Sequence, residues 1–204
     1  MEKGNTKQAI LDAALDLFSV KGFEATSISM IAEAVGIRKA SLYSHFASKQ
    51  AILDALVERV LVNYNSRSLF ARRGGAGLSA GERAPDLEET LSLIKEHMRY
   101  ILHDPCVSKA RRLLVIEQFQ NQELADMQTR QNYTDVMRYF TELVEALIRQ
   151  GVLVDGDAEI MAAQLCLPIS AWINLCDREP QREAEVMELV DRHIRQFFRV
   201  YGRK

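Results

Sequence analysis

The chain predicts an all-α protein: an N-terminal helix-turn-helix unit of three short helices, joined by a connecting helix to a C-terminal helical bundle. Three observations predict it. Apolar residues recur at i, i+3 and i+4 spacing along most of the 204 residues. Strand signals are nearly absent; the one candidate, Gly151-Val152-Leu153-Val154, is short and isolated. Residues 26–49, TSISMIAEAVGIRKASLYSHFASK, read as two short helices around a Gly-centred turn, with a new helix starting at Ser48.

The first helix, about Thr6 to Val20, carries Ile10, Leu11, Ala14, Leu17 and Phe18 on one face and ends at Lys21-Gly22, before Phe23. Ser27 is placed to cap the second helix, whose apolar face is Ile28, Ile31, Ala32 and Val35. Gly36 can take the left-handed conformation that ends a helix, and Ile37 offers an apolar anchor beneath the turn. The third helix, about Arg38 to Phe46, buries Leu42 and Phe46 and leaves Arg38, Lys39, Ser41, Ser44 and His45 on its other faces. So thin an apolar stripe packs on one side only. A solvated helix of an ordinary bundle accounts for that as well as a helix that enters a DNA groove. Ser48 then caps a longer helix through Ile52, Leu53, Leu56, Val57, Val60 and Leu61, running to about Phe70.

Past the connecting helix, residues 72–86 (RRGGAGLSAGERAPD) read as a loop. Helices are expected at about 87–103, 106–119, 122–150 (closed by Gly151), 157–178 and 181–201. Pro168 falls inside the fourth of these and removes a backbone donor, leaving a carbonyl for water, Ser170 or a ligand. The domain boundaries expected are 1–50 for the headpiece, about 49–71 for the connecting helix, and 51–204 for the body.

A hydrophobic content of 48% is enough for a sizeable core, and the formal net charge of −2 does not advertise nucleic-acid binding. Residues 1–50 hold six basic against five acidic side chains, but Arg38, Lys39 and Lys49 cluster on one side of the turn. Cys106, Cys166 and Cys176 form no paired motif, which suits reduced thiols in a cytoplasmic protein. No charged n-region with an apolar run opens the chain, and no uninterrupted apolar stretch of 18 residues occurs, so neither secretion nor a membrane is expected. His97, His103 and Cys106 do not share a helix face, no nucleophile sits in an activating motif, and neither a metal nor a cofactor is expected.

Residues 6–61 resemble the N-terminal domain of the TetR family of bacterial transcriptional regulators. The strings that carry the resemblance are Ile10-Leu11-x-Ala13-Ala14-x-x-Leu17-Phe18, Gly22-Phe23-x-x-Thr26-Ser27, Ile31-Ala32-x-x-Val35-Gly36-Ile37, Ser41-Leu42-Tyr43-x-His45-Phe46 and Ser48-Lys49. The resemblance implies a DNA-binding repressor rather than an enzyme. It implies a homodimer paired through the two C-terminal helices, a palindromic double-stranded DNA operator, and release by a small-molecule inducer. By position, Lys39 and Ala40 would touch bases, with Arg38 and Ser44 at the margins and Ser29 reaching from the preceding helix. Thr26, Ser27, Ser41, Tyr43, His45 and Lys49 would grip phosphates. Polar or aromatic groups on otherwise apolar faces of the body are the candidate inducer contacts: His97, Tyr100, Glu117, Gln118, Gln131, Tyr139, Gln164, Trp172 and Asn174. Two positions depart from the family pattern: Arg38 stands where a Ser or Thr cap is common, and Met30 where a capping-box acid is common. An α-helical enzyme or ligand carrier would show activity without DNA retention. A pure interaction bundle would tolerate replacement of Arg38, Lys39 and Lys49.

Overall fold

Residues 3–67 and 83–203 are described by the computed structural model. Every extended element among them is helical. In chain order they are α1 (Lys3–Lys21), α2 (Ile28–Val35), α3 (Lys39–Tyr43), α4 (Lys49–Arg67), α5 (Leu87–His103), α6 (Pro105–Glu117), α7 (Gln122–Thr129), α8 (Asp135–Arg149), α9 (Ala158–Arg178) and α10 (Glu183–Tyr201). A π-helical turn, Arg130–Thr134, interrupts the single helix expected over 122–150, and a 3-10 turn, Pro180–Arg182, leads into α10. The glycine triplet Gly74-Gly75-x-Gly77 and the end of the connecting helix near Phe70 lie outside the described residues.

Two units emerge, Met1–Tyr64 with Pro105–Gln128, and Asn65–Asp104 with Thr129–Lys204. The first therefore takes α6 and α7 as well as the headpiece, where the sequence suggests a division near residue 50. The reason is apolar burial. Ala110, Leu113 and Leu114 of α6 and Leu124 of α7 join Ile10, Phe18, Ile31, Leu42, Ile52 and Leu56 in one core. Ion pairs from Arg59 to Asp12 (2.6 Å) and from Lys109 to Asp16 hold α4 and α6 to α1.

In the second unit α9 packs chiefly on α8, and α10 packs on α9 and α5. By length and composition α9, with a mean hydropathy of 1.3, would suit a membrane. Its inner face (Met161, Ala162, Leu165, Cys166, Ile169, Ile173, Cys176) is buried, as in a core helix. Pro168 is accommodated within it. Ser170 does not serve the carbonyl that Pro168 leaves free; its hydroxyl donates to Cys166 O, 3.4 Å away. Burial pushes the Cys166 thiol up to about 12. The 151–154 segment is short but not isolated. Leu153 bridges Gly202, Val154 N donates to Tyr201 O (2.8 Å) and Arg203 N to Val152 O (3.0 Å), which ties down the C-terminus.

Asp191 of α10 accepts from Lys95 Nζ (2.6 Å) and Arg195 Nε (2.7 Å), and Arg195 continues to Glu88 (2.6 Å), linking α5 to α10. The Lys95 hydrogen bond, then the one from Arg195, holds the Asp191 carboxyl below its ordinary 3.8. The folded value lies below the unfolded one, so this contribution is complete above about pH 4 and drains away as pH falls through the folded value. The Asp191→Asn variant is expected to have a lower thermal midpoint than wild type at pH 6. The gap should narrow at pH 3, and scans at the two pH values check it.

Candidate nucleic-acid interface

The helix-turn-helix is built by local rules. Ser27, extended at φ −99° and ψ 156°, accepts from Met30 N (3.2 Å) and starts α2. Gly36 ends it in the left-handed conformation, φ 74°, where its N–H bonds Glu33 O and Ile37 N bonds Ala32 O. Arg38 opens α3 without a side-chain cap bond. The third helix is shorter than the sequence suggests and ends at Tyr43; Phe46 N still donates to Leu42 O in a final turn. Ser48 caps α4 by accepting from Ala51 N (3.0 Å).

Leu42 is the buried residue of α3, and Arg38, Lys39, Ala40, Ser41, Tyr43 and Ser44 all face solvent around it. Tyr43 is 46% exposed, and His45 is half-buried. Neither Arg38 nor Lys39 is drawn into an ion pair among the described residues, so both cations are available to an anionic partner. Ser44 spends its hydroxyl proton on Ser41 O (2.7 Å) but keeps acceptor capacity. Ser27 and Ser29 are exposed on the edge of α2.

Two expected phosphate contacts point elsewhere. Thr26 is 1% exposed, and its hydroxyl donates to Gly22 O at 2.8 Å. A side chain so enclosed cannot reach a phosphate. Lys49 directs its ammonium to Phe23 O (2.7 Å) and Glu24 O (3.4 Å) and sits over the Phe23 ring, 4.2 Å from its centroid. Both residues hold the loop before α2, a role that their types alone do not announce.

The candidate inducer contacts divide between the units. Glu117 and Gln118 belong to the first: the Glu117 carboxylate accepts from Phe23 N at 2.7 Å, and Gln118 Nε2 donates to Val115 O at 2.9 Å. The other candidates belong to the second unit. The His97 and Tyr100 rings lie tilted at 44° with centroids 6.3 Å apart on α5, and Tyr139 meets Phe140 edge-on at 5.3 Å on α8. The Trp172 and His193 rings meet at right angles, centroids 5.4 Å apart; His193 Nε2 in turn lies 3.0 Å from Leu165 O. Gln164 is exposed and accepts from Tyr201, and Asn174 is half-buried on α9. Gln131, in the π-helical turn, is 8% exposed, and its Nε2 has no partner among the described residues.

The family profile described as "Bacterial regulatory proteins, tetR family" matches residues 10–56, and that described as "AefR-like transcriptional repressor, C-terminal domain" matches residues 89–203. Over 52 residues the chain is 48% identical to the biofilm operon icaADBC HTH-type negative transcriptional regulator IcaR of Staphylococcus aureus, covering 26% of this chain and 28% of that one. It is 32% identical over 107 residues to the tetracycline repressor protein class C of Escherichia coli, covering 41% and 49%. The match thus spans half or less of the length of either relative. The SmeT–triclosan complex, SmeT being the repressor of the Stenotrophomonas maltophilia multidrug efflux pump SmeDEF, has the same fold: TM-score 0.65 at 21% identity over 98% of this chain and 93% of that one. Since the second profile alone covers more than half of the 204 residues, the chain belongs to the TetR family of bacterial transcriptional regulators, a family of DNA-binding proteins rather than enzymes.

Proposed function

We propose that the protein is a homodimeric repressor that binds a palindromic DNA operator through α3 and is released by a small molecule held in the C-terminal unit. The observation that carries the DNA reading is the solvent-facing set Arg38, Lys39, Ala40, Ser41 and Tyr43 around a single buried Leu42. Lys39 donates to a guanine edge and the Ala40 methyl packs on a thymine methyl. Arg38, Ser27, Ser41, Tyr43 and His45 address flanking phosphates, with Ser29 and Ser44 at the margin. IcaR is a negative regulator and the class C protein a repressor, which supports repression. Such a protein works in the cytoplasm, where its DNA is.

A five-residue helix offers few base contacts, so affinity calls for two copies on half-sites about 34–36 Å apart or a multiple of that. Apolar residues left outside on the last two helices support pairing there: Ile160 (54% exposed) and Leu167 on α9, and Val200 on α10. The triclosan complex of SmeT supports a small-molecule effector. The unpartnered amide of Gln131 supports an effector that carries a hydrogen-bond acceptor. His97, Tyr100, Tyr139, Gln164, Trp172 and Asn174 are the further candidates in this unit.

The test is selection of DNA duplexes from a random pool by the purified chain. A symmetric consensus is expected, bound by two copies, with affinity falling about 10³-fold or more between 50 and 200 mM salt. Selection of no consensus, or binding by a monomer, overturns the reading.

A further inference from the structure

We propose that Glu117 is a positioning residue for operator binding: its buried carboxylate fixes the Gly22–Phe23 peptide and so sets how α1 presents the helix-turn-helix. The inference rests on the DNA-binding reading above.

Glu117 closes α6 and is 4% exposed, yet no Lys or Arg forms an ion pair with it among the described residues. Its recorded partner is the backbone N–H of Phe23, 94 positions earlier in the chain, at 2.7 Å. A carboxylate withdrawn from water without a counter-ion is costly unless a donor is aimed at it, so the contact is specific. The backbone is shaped to meet it. Gly22 lies at φ +82°, and a Cβ there would stand 2.8 Å from Glu117 Oε1 and 3.2 Å from Ile116 Cγ2. Glycine therefore serves both the left-handed turn and the close approach of α6.

The same peptide is gripped at its other end. Gly22 O accepts from the buried Thr26 hydroxyl at 2.8 Å, while Phe23 O accepts from Lys49 Nζ at 2.7 Å and from Thr26 N at 3.3 Å. Side chains from α6, from the loop and from α4 thus converge on two consecutive residues. Four positions later Ser27 caps α2, and α2 turns at Gly36 into α3. The segment has no strand or disulfide to stiffen it, so these hydrogen bonds act with the shared apolar core to fix the angle between α1 and α2. Without Glu117, Phe23 N–H loses its partner and the angle loosens while the apolar core around Phe18 and Leu42 stays in place.

The wild-type chain is compared with Glu117→Gln, which keeps an acceptor oxygen of the same reach, with Glu117→Leu, which has none, and with Glu117→Asp, which is one methylene too short. The DNA probes are the duplex selected by the wild type and a scrambled duplex of equal length. Glu117→Leu is expected to weaken binding to the selected duplex about tenfold or more, to leave the scrambled duplex within about threefold, and to speed hydrogen exchange at the Phe23 amide. Glu117→Asp should follow it, and carries the test if the leucine variant does not fold. Glu117→Gln should stay within about threefold of wild type on both duplexes. Wild-type affinity in the leucine and aspartate variants, unchanged exchange at Phe23, or equal weakening on both duplexes overturns the proposal. A wild-type chain that selects no duplex overturns the DNA reading itself, a separate outcome.

Discussion

Replacing Arg38 and Lys39 together with alanine is expected to abolish sequence-specific DNA binding while leaving the fold intact. Both side chains are exposed, and neither forms an ion pair among the described residues, so their removal costs the folded chain within about 0.5 kcal/mol. At a DNA groove the Lys39 contact to a base is worth about 1–3 kcal/mol and the Arg38 contact to a phosphate about 1.5–3 kcal/mol, so the pair is worth roughly two to four orders of magnitude in affinity. Fluorescence anisotropy on the selected duplex measures it. The single variants divide the roles: loss of a phosphate contact at Arg38 lowers the salt slope by about 1 and weakens all sequences alike, whereas loss of a base contact relaxes preference at one position. A double variant that still binds the selected duplex with wild-type affinity would remove α3 as the reading element. The missing cap at Arg38 fits this division. An arginine there gives up a capping bond worth about 1 kcal/mol, and its exposed guanidinium remains free for DNA.

The second large effect is on stability. Leu42→Ala removes the buried side chain of a helix only five residues long, in a core that it shares with Phe18, Ile31 and Ile52. Truncation of a fully buried leucine costs about 2–5 kcal/mol, against about 5–15 kcal/mol for a whole domain. So short a helix has little stability of its own. We expect α3 to fray first, DNA binding to be lost, and the melting of the second unit to be unchanged. Hydrogen exchange resolved by segment distinguishes this from global unfolding. Uniform loss of protection in both units would contradict it.

Most helices and the caps at Ser27, Gly36 and Ser48 were legible because they are set by neighbours within four positions, whereas the early end of α3 at Tyr43 was not. Ile28, Ile31 and Ala32 fall on one face by spacing alone, and Ser27, Gly36 and Ser48 act as caps where a small acceptor or a left-handed residue must stand. The solvent-facing row from Arg38 to Tyr43 was legible for the same reason, since a single leucine can turn only one side of a short helix inward. The π-helical turn at 130–134 was not, since the apolar spacing runs through it without a break.

What residue type could not reveal is which polar groups are spent inside the fold. Thr26 and Lys49 look like phosphate ligands beside a helix start, and Glu117 looks like a polar visitor to a ligand cavity. All three converge instead on Gly22 and Phe23, because burial of Leu113 and Leu114 against α1 brings a segment 94 positions away to the headpiece. Local spacing carries periodicity, caps and the exposed face of α3, which is why the sequence identifies a TetR-like headpiece unaided. Partnership between distant polar groups depends on which apolar surfaces close on one another, and only the packed chain settles that.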